Sequence, residues 1–153
     1  MTQEHERYMA RCIELARLAK SRGDTPVGSV VVRDGEIIGE GSESLPAGHL
    51  VVGHAEVLAC QQAVDRWGRP DRSGADLYTT AEPCFMCSYV IRNARISRVV
   101  YGLATPWIGG VTSRHPILVD PSLASWRPAP EVVAGILADE CRRLRPQLAG
   151  GEK

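Results

Sequence analysis

His54-Ala55-Glu56 and, about thirty residues on, Pro83-Cys84-Phe85-Met86-Cys87 supply the side chains of a metal centre with an acid/base beside it. One imidazole and two thiols make three zinc ligands. Three protein ligands leave the fourth tetrahedral position to water, the mark of a catalytic rather than a structural zinc. Cys84 and Cys87 stand one helical turn apart, so both sulfurs can reach one ion from the same face. Pro83 suits the place just before or at that first turn, where a missing N–H costs nothing. The free amides of such a helix start, together with the metal, favour thiolates over thiols. His54 and Glu56 are two apart and inside a helix would point to nearly opposite sides. The spacing therefore predicts His54 at the non-helical start of its helix, so that both side chains converge on the metal.

Two thiolates cancel the charge of a zinc ion, so its water is acidified less than at a favourable site, where the pKa falls from about 15.7 towards about 7. Glu56 is then the group that takes the proton and delivers it to a ring nitrogen and to a departing amine. Its own pKa is expected to be raised by the anionic surroundings. The pairing of H-x-E with P-C-x-x-C resembles the signature of zinc deaminases. The reaction it implies is hydrolytic loss of ammonia from an aminated heterocycle.

The elements that must position these groups are legible from periodicity. Residues 4–20 carry an apolar stripe at helical spacing through Met9, Ile13 and Ala16. Gly28 to Arg33 and Glu36 to Gly41 read as strands joined at Asp34-Gly35 into a hairpin. A helix opens at His54, a short strand covers Ala75 to Thr80, the cysteine helix follows, and Arg98 to Gly102 returns as a strand. Leu103 to Pro130 is irregular, rich in Gly and Pro, and placed to wall the pocket. Glu131 to Ala134 reads as a last strand, and Leu137, Cys141, Leu144 and Leu148 as a helix ending near Gly150-Gly151. Strands alternating with helices predict an α/β sheet covered on both faces, with parallel pairing after the hairpin. The site belongs at the strand ends and helix starts.

The 153 residues, 44% of them hydrophobic, suit a single domain over 1–153 with a substantial core. Eighteen basic and eighteen acidic residues cancel, which removes any global attraction to a polyanion. Nucleic acid is on that ground a possible but disfavoured partner. A polar start and no apolar run of membrane-spanning length predict a cytoplasmic protein with no membrane partner. Cys12, Cys60 and Cys141 read as buried thiols, and the His-x-Glu motif argues against a Cys84–Cys87 redox pair.

Taken with Thr25-Pro26-Val27-Gly28-Ser29-Val30-Val31, Ile38-Gly39-Glu40-Gly41, the run from Leu77 to Cys87 and Arg98-Val99-Val100-Tyr101-Gly102, the motifs resemble the cytidine deaminase-like superfamily. Within it, the branch holding tRNA adenosine deaminases, guanine deaminases and fungal-type cytosine deaminases is the most similar. The tail Gly135 to Cys141 looks most like the bacterial tRNA adenosine deaminases. The resemblance covers most of the chain. It implies a three-layer αβα fold around a mixed five-stranded sheet, commonly a homodimer, with zinc on His54, Cys84 and Cys87 and Glu56 as proton shuttle. It also implies a base pocket lined by backbone amides near Ala55 and Pro83 to Cys84. Val27 and Trp107 join these as candidate substrate contacts. One departure stands out: where these families usually place an asparagine two residues after the hairpin glycine, this chain has Glu43. An ionised Glu43 only accepts hydrogen bonds, so it would suit a substrate edge of amino or N–H groups.

Several residues admit two readings. Trp107 stacks on a flat heterocycle or plugs a sheet edge or interface; Glu43 enters the pocket or points to water. Asp24 and Thr25 touch substrate or form a turn, and Glu82 pairs with an arginine or amide rather than reacting. His49 and His115 lack ligand spacing to the cysteines. Arg142, Arg143 and Arg145 read as a solvated helix face near Glu140 and Glu152, with Pro146 cutting the helix short. Eight aromatics leave few platforms for RNA bases. The leading expectation is a zinc aminohydrolase acting on a small aminated heterocycle such as a free nucleobase or nucleoside. The alternative in the same chemistry is deamination of adenosine in a tRNA anticodon loop. An alternative of another class is a non-catalytic zinc-stabilised subunit, which requires a fourth protein ligand or inactivity on every amine.

Overall fold

The computed structural model describes residues 2–44, 52–68 and 74–145. In chain order the elements are α1 (Thr2–Ser21), β1 (Gly28–Arg33), β2 (Glu36–Ser42), α2 (Ala55–Trp67), β3 (Ala75–Ala81), α3 (Phe85–Asn93), β4 (Arg98–Leu103), β5 (Glu131–Ala134) and α4 (Ala138–Leu144). Asp34 and Gly35 both take positive φ, 51° and 78°, as a two-residue hairpin turn between right-twisted strands requires. The five strands form one sheet in the order β2-β1-β3-β4-β5. Parallel pairing does not begin directly after the hairpin: β1 is antiparallel to β3 as well as to β2, and only β3–β4 and β4–β5 are parallel. The reason is the crossover through α2, which carries the chain over β1 and lays β3 parallel to β2 with β1 between them.

Alternation along the strands divides the core into two layers. Val30, Val32, Tyr78 and Val100 face α1 and α4, meeting Met9, Cys12, Cys141 and Leu144. Val31, Leu77 and Val99 face α2 and α3, meeting Ala59, Cys60, Ala63 and Ile91. The result is the expected three-layer αβα arrangement, with Cys12, Cys60 and Cys141 as buried free thiols. Among the described residues no helix is long and apolar enough to cross a membrane.

Two features bear on the site. Helix α2 lies directly on the backbone of β2: a Cβ on Gly39 would sit 2.2 Å from the Ala59 carbonyl oxygen, and one on Gly41 2.0 Å from that of Ala55. Secondly, α4 stops at Leu144, well short of Gly150. Pro146 disfavours helical geometry in the residue before it, and Arg145 leaves the helix at φ −132°, ψ 62°. Leu148, the two glycines and His49 lie outside the described residues.

Gly41→Ala must push α2 off the sheet at the turn that carries Glu56. A destabilisation of about 1–3 kcal/mol is expected, the usual cost of overpacking. Urea unfolding checks it: a lowered midpoint at unchanged slope is predicted, and an unchanged midpoint would show that α2 can retreat freely.

Candidate active site

His54 is the N-cap of α2, in extended conformation at φ −67°, ψ 142°, which is where the two-residue spacing to Glu56 requires it. Cys84 is likewise the extended N-cap of α3, at φ −71°, ψ −178°, and Cys87 lies in that helix's first turn. Both helix starts sit at the sheet end where β2, β3 and β4 finish and β1 begins. Ligands gather at such strand ends in α/β sheets. His54 Nδ1 lies 3.4 Å from Cys84 Sγ and 3.4 Å from Cys87 Sγ, and the three atoms lie within 4.8 Å of one another. Zinc with bonds of about 2.3 Å to sulfur and about 2.0 Å to nitrogen needs tetrahedral N···S separations of roughly 3.5 Å. The donor set therefore fits the ion. Among the described residues the cluster has these three members, and His115 stands apart, edge-on to Phe85.

The electrostatics of the cluster favour a bound cation. The hydrogen bond with Cys87, followed by that with His54, holds the Cys84 thiol down at about 4. The same bond and burial push Cys87 far up. The bond to Cys84 raises His54 to about 9. Glu56 is 4% exposed, and burial, with the nearby charge of Glu43 second, pushes its carboxyl up to about 8.

Beside the cluster is a cavity of about 120 Å³, walled by Val27, Glu43, Glu56 and Trp107, with Thr25, Ile108 and Arg145 completing it. It is well below the roughly 300–1,000 Å³ of a drug-sized pocket and has room for one ring system. Glu43 is buried, and its Oε1 accepts a hydrogen bond from the Ala55 N–H at 3.1 Å. The Ala55 amide is thus engaged by Glu43. Pro83 is buried behind the wall, where its carbonyl accepts from the Gly110 N–H at 2.8 Å. Trp107 lines the cavity and packs against the core. Thr25 reaches the cavity, whereas Asp24 pairs with Arg22 at 3.6 Å.

Two residues of the site are not apparent from motif spacing. Glu82 accepts from the backbone N–H groups of Thr105, Val111 and Thr112 at 2.9, 2.8 and 2.7 Å, and from the Thr112 hydroxyl at 2.6 Å. It ties down the loop that brings Trp107 and Ile108 to the cavity. The one signal in the chain is Gly109, where a Cβ would meet the Glu82 carboxylate at 2.0 Å. The far half of the same loop hangs on Arg92 of α3, which donates to the carbonyls of Ile117, Asp120 and Arg127. Arg145 is the other residue: rather than lying on a solvated helix face, it enters the cavity wall.

The sequence profile of the cytidine and deoxycytidylate deaminase zinc-binding region matches residues 2–103. The tRNA-specific adenosine deaminase of Streptococcus pyogenes serotype M1 is 34% identical over 142 residues, 93% of this chain and 81% of that protein. A structure from a study of A-to-I editing by tRNA:A34 deaminases at the wobble position of transfer RNA superposes with a TM-score of 0.84 at 33% identity. It covers 90% of this chain and 98% of its own. The guanine deaminase of Bacillus subtilis is 35% identical with a TM-score of 0.64, over 66% of this chain and 65% of its own. These relatives correct one expectation, that of nucleic acid as a disfavoured partner. Proteins named for action on tRNA are a third identical along nearly the whole chain. A net charge summed over the entire surface says nothing about where single cations stand, as the cavity position of Arg145 illustrates.

Cys84→Ser and Cys87→Ser are each expected to strip zinc from the purified protein, read by metal analysis; full zinc retention in either would sink the ligand assignment. Glu82→Gln should keep zinc but present an NH₂ group to backbone donors, leaving one or more unpaired at about 1–3 kcal/mol. A lower thermal midpoint with faster proteolytic cutting between residues 105 and 112 is predicted, and unaltered cutting would refute the anchoring role.

Proposed function

We propose, for a chain that belongs to the cytidine and deoxycytidylate deaminase zinc-binding family, that the reaction is hydrolytic deamination of adenosine in a structured RNA, with a tRNA anticodon loop as substrate. The observation that carries this reading is the identity of about one third to tRNA-specific adenosine deaminases over more than nine-tenths of the chain. The small cavity agrees with it. A target base turned out of its stack enters a close-fitting pocket while ribose and phosphates stay outside, and about 120 Å³ admits the base alone.

His54 Nδ1, Cys84 Sγ and Cys87 Sγ would hold the zinc. When bound, the metal supplies Lewis acidity that lowers the pKa of a water. Glu56, buried in the first turn of α2, takes a proton from the attacking water on its carboxylate. It passes that proton to N1 of adenine and a later one to the departing amine, so that water and the 6-amino compound yield the 6-oxo compound and ammonia. Trp107 and Ile108, on the loop anchored by Glu82, wall one side of the cavity. Val27 and Trp107 bound the ring, and Glu43 fixes the start of α2 through the Ala55 N–H.

Ammonia release and inosine formation should follow incubation of the zinc-loaded protein with an adenosine-bearing anticodon stem-loop. Glu56→Ala should retain its zinc and lose at least about 10²- to 10⁴-fold in rate, the range of a general acid–base. Release from free bases with none from the stem-loop would overturn the RNA reading.

A further inference from the structure

Three arginines close together at the end of α4 meet different fates. Arg142 and Arg143 pair with Asp139 and Glu140 one turn back, on the exposed side of the helix. Arg145 leaves the helix, and its side chain enters the wall of the catalytic cavity together with Glu43, Glu56 and Trp107. Its neighbour Leu144 is buried in the core beside Cys141, so the guanidinium is delivered from an anchored point. Its Nε is buried and has no hydrogen-bond partner among the described residues. Leaving a polar atom buried and unpaired is unfavourable. Burial lowers the affinity of Arg145 for its proton, and the carboxylates of Glu43 and Glu56 act against that. A donor group held in this state awaits an acceptor.

Among the described residues no acceptor bonds to that Nε, although the carboxylates of Glu43 and Glu56 stand in the same wall. An ionised Glu43 only accepts hydrogen bonds. Adenine creates the same need from the other side: apart from its 6-amino group, its ring offers only nitrogen acceptors. An ionised Glu43 cannot bond to those nitrogens and Glu56 is committed to N1, whereas a guanidinium carries five donors and no acceptor. Resting on the adenosine reading, we propose that Arg145 is a specificity-determining residue whose guanidinium donates inside the cavity to N3 or N7 of the purine. Those are the ring nitrogens that take no proton in the reaction. Glu43, bonded to the Ala55 N–H, supplies the opposing charge that keeps the guanidinium in the pocket. This assigns the departure at Glu43 a partner.

The test is a double-mutant cycle between protein and base. Wild type, Arg145→Ala and Arg145→Lys are assayed for kcat/KM on stem-loops carrying adenosine, 3-deazaadenosine or 7-deazaadenosine at the target site, with zinc content and thermal midpoint measured in parallel. Arg145→Ala is expected to lose about 10- to 100-fold on adenosine, the range of a hydrogen bond from a charged donor, at unchanged zinc. One of the two deaza analogues should lose a similar factor with wild type and little more with Arg145→Ala. Arg145→Lys, which keeps the charge but not the planar fork, should recover part of the rate, and it carries the cycle if the alanine variant is poorly folded. Losses from the analogues that are the same in wild type and variants would overturn the proposal and leave the adenosine reading standing. Wild type that is silent on every stem-loop would overturn the adenosine reading, and this inference with it.

Discussion

The contact between α2 and β2 without intervening side chains governs the position of everything catalytic. Gly39 and Gly41 let the Ala55 and Ala59 carbonyls approach so closely that a single methyl on either strand residue would overlap them. His54 and Glu56 sit at the first turn of that helix. A catalytic constellation tolerates displacements of about 0.5 Å, less than the thickness of a methyl group. The depth of α2 on the sheet is therefore set by absent side chains. Helix α3 is placed by different means, since its N-cap Cys84 forms a backbone bridge with Gly109 and the Pro83 carbonyl accepts from Gly110. The two halves of the metal cluster are thus seated independently, and they meet at 3.4 Å.

Charge at this sheet end is heavily one-sided. Glu43, Glu56 and Glu82 are all buried, and hydrogen bonds from Cys87 and His54 hold the Cys84 thiol down. Such crowding is tolerable because Glu82, Glu43 and the cysteines each have a cationic or donor counterpart. Glu82 is satisfied by three backbone N–H groups and a hydroxyl, a case in which hydrogen bonding rather than an ion pair stabilises a buried carboxylate. Glu43 has the Ala55 N–H and the field of Arg145. The cysteines have the metal and two helix N-termini. Glu56 is left with burial and a neighbouring acid, the combination that keeps a carboxyl able to carry a proton near neutrality.

What could be read in the chain depended on whether a role was written in local spacing. The hairpin was legible because Asp34-Gly35 supplies the two positive-φ positions next to each other. The extended caps at His54 and Cys84 followed from ligand geometry, since three ligands must face one point. The antiparallel entry of β3 beside β1 was not legible, because a helical crossover can skip one strand without any mark in either strand's sequence. Glu82 and Arg145 were hidden for a related reason. Glu82 serves amides 23 to 30 residues away, and Arg145 reaches a cavity built by five other segments. An acid before Pro-Cys and an arginine on a charged helix are both ordinary until the loop and the helix end are placed.

The same distinction separates the net charge of the chain from its affinity for nucleic acid. A long basic face is needed where binding is non-specific and phosphate contacts supply most of the free energy. An enzyme that acts on one base takes that base into a pocket and reads it there, so its discrimination resides in a few buried donors and acceptors. Eighteen positive and eighteen negative side chains leave the total at zero while still placing one guanidinium inside the cavity and two more on the helix beside it. For such a protein the informative electrostatic quantity is the sign of the charge at the mouth and walls of the pocket. There, Arg145 stands among the acids Glu43, Glu56 and Glu82, beside a cluster of donors that fits zinc.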